Sequence, residues 1–155
     1  MNRDTPPPPN FQTRETFTFC ELRKHFPDVT FAFNSVVKGG SSGRKPDAHV
    51  DMRTHGVIVE VDQDQHTRCG DYSDENERVM QLCHDFGGRP VYVIRFNADA
   101  YVKDGERVRG CFKQNQLVDI PEWERRVNEL VSRFRHALDT VPAKEVSVEH
   151  LFYDS

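Results

Sequence analysis

The sequence predicts an α/β fold in which a mixed β-sheet is flanked by helices. Residues 57–62 alternate valines with other residues at the period of a β-strand, and residues 91–96 are an apolar run typical of a central strand. Between them, residues 73–86 have the apolar periodicity of a helix that Gly87 ends. A strand, helix and strand at this spacing form a crossover unit, so we expect the two strands to be parallel neighbours.

The elements before this unit are predicted from spacing and turn residues. Apolar residues at helical intervals predict a helix over residues 15–26, which Pro27 ends. Residues 30–34 are expected to form a strand. Residues 38–45, rich in glycine and basic side chains, are expected to form a mobile loop.

The elements after this unit follow the same signals. Residues 97–116 are polar and rich in turn residues. Pro121 stands at a plausible first helical position, and a long apolar stripe predicts a helix that ends before Pro142. Residues 145–153 alternate and predict a last strand at the edge of the sheet.

A β-hairpin is expected where residues 47–52 and residues 57–62 alternate on either side of a short reversal. Gly56, in that reversal, is free to take a positive φ. We place the centre of the turn between Thr54 and His55.

This register brings acidic side chains together. Asp47 lies opposite Asp62, and directly opposed residues share a face of the sheet, so Asp47, Glu60 and Asp62 converge on one side. Carboxylates this close repel one another unless a hard cation lies between them. Mg²⁺ is typically held by one or two carboxylates, water and a substrate phosphate. The hairpin therefore predicts a metal site suited to phosphate chemistry.

Composition limits the classes of protein. With 155 residues and 18.0 kDa, the chain is long enough for one domain with a core, which we assign to residues 14–155. Residues 1–13, with four consecutive prolines, are expected to be a disordered or extended lead. No run is apolar enough to predict a membrane helix or a signal peptide, so no membrane partner is expected. The net charge of -4 means that nucleic-acid binding requires a local basic patch.

The four cysteines form no Cys-x-x-Cys pair, which favours a reduced intracellular location, cytoplasmic or nuclear. A structural zinc site made of His66, Cys69, Cys83 and His84 is an alternative. Its spacing matches no standard ligand pattern. Cys83 also falls on the apolar stripe of a helix, where a buried free thiol is expected.

The acidic motif resembles that of a known nuclease superfamily. Pro46-Asp47, followed after a hairpin by Glu60-Val61-Asp62, resembles the PD-(D/E)xK superfamily, which has the restriction-endonuclease-like fold. That fold is then the expected form of the mixed sheet and helices.

A narrower resemblance involves the residues that follow. The run VEVDQDQH at residues 59–66, then Glu77-Arg78 on a helix and VIRF at residues 93–96, is similar to the very-short-patch-repair (Vsr-like) branch. From about Lys45 to the closing segment, residues 149–154, the chain also resembles uncharacterised nuclease-like proteins of giant viruses, algae and oomycetes. This resemblance is compatible with a viral source.

The resemblance implies a metal site. Asp47 and Glu60 match the two metal-binding acids, the Val61 carbonyl oxygen is a further ligand, and Glu21 matches an additional acid on the first helix. Bound Mg²⁺, or Mn²⁺ in its place, would polarise the scissile phosphate and lower the pKa of a water.

One position departs from the superfamily. Asp62 stands where the superfamily has a lysine that stabilises charge or positions the attacking water. The Vsr-like branch also lacks this lysine and uses a histidine, which favours His66 as general acid or base. Gln65 would then orient the water or the phosphate. A loop lysine, Lys38 or Lys45, is the alternative to His66.

Other charged residues have competing interpretations. Asp62 is either catalytic, a supporting group or an edge carboxylate, and Arg95 either binds phosphate or neutralises a buried acid such as Asp62. Arg78 is expected to pair with Glu75 or Asp74 on its own helix, or else to support the site. The residues expected to face solvent are His49, Asp51 and His55. The residues expected to bind the phosphates of DNA are Lys38, Arg44, Lys45 and Arg68.

Two functions compete. The first is a metal-dependent DNA endonuclease or nickase. The second is a nuclease-fold module that binds nucleic acid or a protein without cleaving, and a phosphodiesterase acting on small nucleotides is a third. An inactive copy has no reason to keep Asp47, Glu60 and His66 together, so we favour the enzyme. The sequence leaves open whether the substrate is DNA or RNA and whether a homodimer makes double-strand cuts.

Overall fold

The computed structural model describes residues 13–63 and 72–155. These residues form an α/β fold with a mixed five-stranded sheet and three helices, so the predicted α/β class is confirmed. The expected lead at residues 1–13 lies outside the described part, except that Thr13 begins the first helix. In the described part, no helix has the length and apolar character needed to span a membrane.

The five predicted strands and three predicted helices are all present. Two small hairpins in the turn-rich region were not predicted. In chain order the elements are α1 (Thr13–His25), β1 (Ala32–Phe33), β2 (Ala48–Asp51), β3 (Gly56–Asp62), α2 (Tyr72–Asp85), β4 (Val91–Asn97), β5 (Tyr101–Lys103), β6 (Glu106–Val108), β7 (Phe112–Lys113), β8 (Gln116–Leu117), α3 (Ile120–Asp139) and β9 (Val146–Leu151).

The main sheet has the strand order β1-β2-β3-β4-β9. The pairs β1–β2 and β2–β3 are antiparallel, whereas β3–β4 and β4–β9 are parallel. The predicted crossover from β3 through α2 to β4 is confirmed, as is the edge position of the last strand. The apolar residues of β4 are buried on both faces, which explains its nearly continuous hydrophobic sequence.

Each face of the sheet has its own core. Val57 and Val59 of β3 belong to a cluster that includes Leu22 of α1 and Leu130 of α3. Ile58 belongs to the opposite cluster, with residues of α2. Because side chains alternate along a strand, Glu60 and Asp62 share the α2 face of β3 with Ile58. The helix after the hairpin therefore covers the two acids.

The register of the hairpin differs from the prediction by two residues. Asp51 pairs with Gly56, and Ala48 pairs with Val59, so the turn is centred between Arg53 and Thr54. Arg53 takes the positive φ, at 71°, and its N–H donates to Oδ1 of Asp51 at 2.8 Å. A two-residue shift keeps every side chain on its face because the period of a strand is two. Asp47 consequently lies level with Glu60 and not with Asp62.

Position 56 requires glycine for close packing and not for the positive φ that was predicted. Its backbone lies in β3 and not at a positive φ. A Cβ at this position would lie 2.5 Å from Cε1 of the Phe86 ring, which is closer than atoms tolerate. Glycine is required here because the end of α2 packs directly onto the strand.

Two histidines expected at the surface are buried, whereas Asp51 is exposed as predicted. The His55 Nε2 atom lies 2.7 Å from the Ala137 carbonyl oxygen of α3, and Nδ1 lies 2.9 Å from Thr54 Oγ1. His49 packs edge-on against the ring of Phe86. The expectation that these two histidines face solvent is wrong because helices cover both faces of the hairpin.

A buried arginine holds the region after β4. The Arg126 side chain, 0% exposed, donates to the carbonyl oxygens of Asn97, Asp99 and Arg109 at 2.8 to 3.0 Å. Its Nε atom also donates to Glu122. A buried guanidinium is tolerated only when its donors are satisfied, and here the backbone of an irregular segment satisfies them.

Candidate functional site

The structure brings Asp47 and Glu60 together. Asp47 precedes β2 and lies beside the Ala48–Val59 pair, level with Glu60. Its N–H donates to Glu60 Oε2 at 3.0 Å, and the Val61 N–H donates to Asp47 Oδ2 at 2.7 Å. These two bonds hold both carboxyl groups at the open end of the hairpin, where β2 has not yet begun and β3 continues.

A third carboxyl group comes from α1. The Glu15 carboxyl group lies beside that of Asp47 and raises its pKa. Glu15 is 8% exposed, and its Oε2 atom is buried without a hydrogen-bond partner. Two carboxyl groups can bond to one another only when one carries a proton; otherwise they repel, unless a cation lies between them.

The resemblance implied Glu21 on α1, whereas the carboxyl group beside Asp47 is that of Glu15. Six residues separate the two along α1, so they project from different sides of the helix. Glu15 lies four residues before Phe19, at the start of the apolar stripe that also includes Leu22 and Phe26. A carboxyl group on an apolar stripe was the signal that could have identified it, because such a group is costly to bury alone.

The acids perturb one another's protonation. Burial raises the pKa of Asp47 to about 7, and the Glu15 carboxyl group adds to this rise, while the Val61 N–H opposes it. Burial also raises the pKa of Glu60 to about 7, helped by the charge of Asp47 and opposed by Arg78. Both carboxyl groups therefore lose their protons at a higher pH than an exposed carboxyl group does.

Arg78 of α2 contacts Glu60 of β3. Its Nη2 and Nε atoms donate to Glu60 Oε1 at 2.7 and 3.2 Å. The predicted pairing with Asp74 or Glu75 falls on side chains that the structure does not describe, although their backbone lies in α2. Glu60 is 4% exposed, and a buried carboxylate needs a counter-ion, which explains why Arg78 points toward β3. Of the two readings of Arg78, support of the site is the one that its contacts favour.

Asp62 and Arg95 form a buried ion pair. Arg95 Nη2 lies 2.8 Å from Asp62 Oδ1, and Arg95 Nε lies 2.9 Å from Asp62 Oδ2. The two side chains are 3% and 6% exposed. This geometry agrees with the reading that Arg95 neutralises Asp62. Asp62 thus faces Arg95 of β4, beside the acidic cluster formed by Asp47, Glu60 and Glu15.

One polar face of α2 anchors the basic loop formed by residues 38–45. This α2 seam consists of Arg78, Gln81 and Asp85, spaced at i, i+3 and i+7. Asp85 Oδ1 accepts the N–H groups of Ser41 and Ser42 at 3.0 Å each, and Asp85 Oδ2 accepts the Ser42 hydroxyl. The loop was expected to be mobile, but these bonds tie its backbone to the helix.

The same seam determines where the basic side chains of the loop lie. Arg44 Nε donates to Gln81 Oε1, and Arg78 Nη2 makes a longer contact of 3.4 Å with the Lys45 carbonyl oxygen. The side chains of Lys38 and Lys45 are exposed, and that of Arg44 is half-buried. Arg78 therefore connects the loop to Glu60, so Arg44 and Lys45 are held near the acidic cluster.

The predicted residues Gln65, His66 and Arg68 lie outside the described residues. Asp62 is the last residue of β3, so these three follow closely on the strand that carries Glu60. For the zinc alternative, Cys69 also lies outside the described residues. Cys83 is a buried free thiol, as expected, and burial raises its pKa to about 11.

The chemistry of the acidic cluster suits a hard cation. Within residues 13–63 and 72–155, no three or more His, Cys, Asp or Glu side chains are arranged to hold a metal ion. Glu60 is instead engaged by Arg78 and by the Asp47 N–H. The oxygens of Asp47, Glu60 and Glu15 are nevertheless the ligand type that Mg²⁺ prefers, and Glu15 Oε2 has no partner. The chemistry of these side chains therefore fits Mg²⁺, whereas their arrangement in the described residues does not form a metal site. Val61, predicted to bind metal through its carbonyl oxygen, contributes its N–H to Asp47.

Comparison with known proteins adds no family to this geometry. No protein-family model, no curated protein and no solved structure matches the chain. The contacts of the acidic cluster are therefore the basis for a functional assignment.

Proposed function

We propose that this protein is a metal-dependent phosphodiester hydrolase, a DNA endonuclease or nickase with a restriction-endonuclease-like fold. The observation that carries the proposal is the contact of Asp47 with two other carboxyl groups, Glu60 and Glu15, from three separate parts of the chain. Folding has concentrated like charges at one buried point, where a divalent cation would relieve their repulsion. The order of helix, hairpin, crossover helix and parallel strand supports the fold assignment.

Asp47 and Glu60 would hold Mg²⁺ or Mn²⁺, with the Val61 carbonyl oxygen and Glu15 or Glu21 as further ligands. When bound, the cation supplies Lewis-acid chemistry at the scissile phosphate. Asp62 keeps Arg95 neutralised at the end of β3 and so holds that strand in place. It is a supporting group in this proposal and not a proton carrier.

His66 would move the proton. It follows the end of β3 by four residues, and a histidine can act as general acid or base near neutral pH. Gln65 would orient the attacking water or the phosphate. Lys38, Arg44, Lys45 and Arg68 would contact neighbouring phosphates of DNA, setting position and not reading bases. The anchoring of Arg44 and the Lys45 backbone beside the acids supports this part of the proposal.

The experiment incubates pure protein with supercoiled, linear, mismatched and branched DNA, each with Mg²⁺, Mn²⁺ or EDTA. We expect cleavage with either cation and none with EDTA, and no cleavage by Asp47→Asn. His66→Ala should slow the chemical step roughly 10²–10⁴-fold with little change in metal affinity. Lys45→Ala should instead weaken DNA binding and flatten its salt dependence. A dimer that cuts both strands would produce linear plasmid without a nicked intermediate.

A second candidate is a module of this fold that binds nucleic acid or a protein without cleaving it. The ion pair between Arg78 and Glu60 favours it, because Glu60 already has a counter-ion without any metal. DNA binding that is equal in Mg²⁺ and EDTA, with no cleavage of any DNA form, would support this candidate against the enzyme.

A further inference from the structure

Arg78 is a cation placed inside an acidic cluster. Its guanidinium uses two nitrogens on one oxygen of Glu60, at 2.7 and 3.2 Å. The Arg78 side chain is 26% exposed, whereas the Glu60 side chain is 5% exposed. One side of the guanidinium thus faces the buried acid, and part of it remains open to solvent at the same place.

Neighbouring arginines are engaged away from the cluster. Arg95 is buried against Asp62, Arg44 donates to Gln81, and Arg14 binds Asp99 at 2.6 Å. Arg78, in contrast, forms an ion pair with a carboxyl group of the cluster, that of Glu60. It also contacts the Lys45 backbone, so it sits between the acids and the exposed basic loop.

A phosphodiester anion that approaches three carboxyl groups is repelled unless a cation stands beside them. A guanidinium suits this task because its parallel N–H groups match two oxygens of a phosphate. The same nitrogens cannot bind Glu60 and a phosphate at full strength together. A divalent cation and Arg78 also compete for Glu60 Oε1.

We propose that Arg78 exchanges partners during the reaction cycle: it neutralises Glu60 in the metal-free chain, and it binds the scissile phosphodiester once a divalent cation has taken Glu60. This inference rests on the proposed function and adds a substrate-binding residue to it. Arg78 is thus both a competitor of the metal and a ligand of the substrate. Its removal should change the two affinities in opposite directions.

The test uses Arg78→Ala and the full chain. Titration calorimetry with Mn²⁺ alone should show roughly 10-fold tighter binding in Arg78→Ala, because no guanidinium competes for the carboxylate. Fluorescence anisotropy with a short DNA duplex at low temperature, before cleavage begins, should show roughly 10-fold weaker binding in Mn²⁺. In EDTA the loss of DNA affinity in Arg78→Ala should be smaller than in Mn²⁺, since Arg78 of wild type then stays on Glu60.

Controls separate this exchange from a structural effect. Arg78→Lys should keep part of the DNA affinity because it retains the charge and loses the paired N–H groups. Arg89 follows α2 and pairs with Asp51 away from the cluster. Arg89→Ala should therefore leave the Mn²⁺ affinity and the DNA affinity unchanged. Metal affinity that falls or stays equal in Arg78→Ala, while wild type binds metal and cleaves DNA, would overturn the exchange. Absence of metal binding in wild type would instead overturn the proposed function.

Discussion

The carboxyl group of Glu15 on α1 lies beside that of Asp47, the residue that precedes β2, and raises its pKa. Glu15 Oε2 is buried without a hydrogen-bond partner, and Asp47 is held on its other side by the Val61 N–H. Such an arrangement is unfavourable in the empty chain, and a bound proton or cation relieves it. Stability and ligand binding should therefore oppose one another at this point, a pattern common in functional sites.

Replacing Asp47 or Glu60 should abolish metal binding without preventing folding. Asp47→Asn and Glu60→Gln should abolish Mn²⁺ binding and DNA cleavage while the circular dichroism spectrum stays unchanged. The melting temperature of metal-free Asp47→Asn at pH 8 should equal or exceed that of wild type, because a buried like charge has been removed. Glu124→Gln, at an exposed position of α3, is the control and should behave as wild type. Calorimetric Mn²⁺ binding that is equal in wild type and the double variant would contradict the site.

The stability of the metal-free protein should depend on pH with a defined sign. The pKa values of Asp47 and Glu60 are raised to about 7, so between about pH 4 and 7 the folded chain binds more protons than the unfolded chain. Stability from these groups is present below about pH 4 and is lost as the pH rises through 7.

The pH experiment compares urea unfolding of wild type and Asp47→Asn/Glu60→Gln in EDTA from pH 4.5 to 8. Asp51 and Glu122 have lowered pKa values and act in the opposite direction, so the difference between the two proteins is the quantity to follow. As the pH rises, the free energy of unfolding of wild type should fall relative to that of the double variant. With Mn²⁺ present, wild type should regain stability at high pH, because binding to the folded state adds to it. A difference independent of pH would contradict the coupling of the acids.

The two acids of α1 should behave differently. Glu15→Gln should weaken Mn²⁺ binding and lessen the pH dependence, because it removes a carboxyl group in contact with Asp47. Glu21→Gln, on the same helix and of identical chemistry, should change neither. The measurement is calorimetric metal affinity for both variants beside wild type. A larger loss in Glu21→Gln would restore the assignment made from the sequence.

Asp62 should prove structural. Breaking a buried ion pair by removing one partner typically costs about 3–5 kcal/mol, so Asp62→Asn should lower the free energy of unfolding by an amount of that order. A double variant, Asp62→Leu/Arg95→Met, should recover part of the loss because no charge is left buried. Urea denaturation measures both. A catalytic role would show the reverse pattern in Asp62→Asn, with stability retained and cleavage lost.

The cysteines should differ sharply in reactivity. Cys20 is exposed, whereas Cys83 and Cys111 are buried, and burial raises the pKa of both buried thiols to about 11. Because the thiolate is the reactive form, iodoacetamide at pH 8 should label Cys20 in the folded protein and reach the other two only in urea. Peptide mass spectrometry gives the order of labelling.

Elemental analysis should find no stoichiometric zinc, and Cys69→Ser should barely change the melting temperature.

Local patterns determined most of the fold. The alternation of residues 57–62, the apolar run before Phe96 and the stripe that begins near Pro121 predicted a strand, a central strand and a long helix, and each is present. These signals depend on the period of one element and on which face it buries, so one sequence is enough to read them. The same period placed Asp47 and Glu60 on one face even though the register was two residues off.

The partners of the charged residues were decided by the tertiary structure. Glu15 meets Asp47, and Arg78 meets Glu60, only because α1 and α2 pack beside β3. Likewise, His55 is buried because α3 brings the Ala137 carbonyl oxygen to it. The partner of a charged side chain is the group that folding brings close to it. The periodicity of one helix or strand does not contain its distance to another element. The sequence by itself therefore determined the α/β architecture and the facing acids, whereas packing decided which neighbours set their charge.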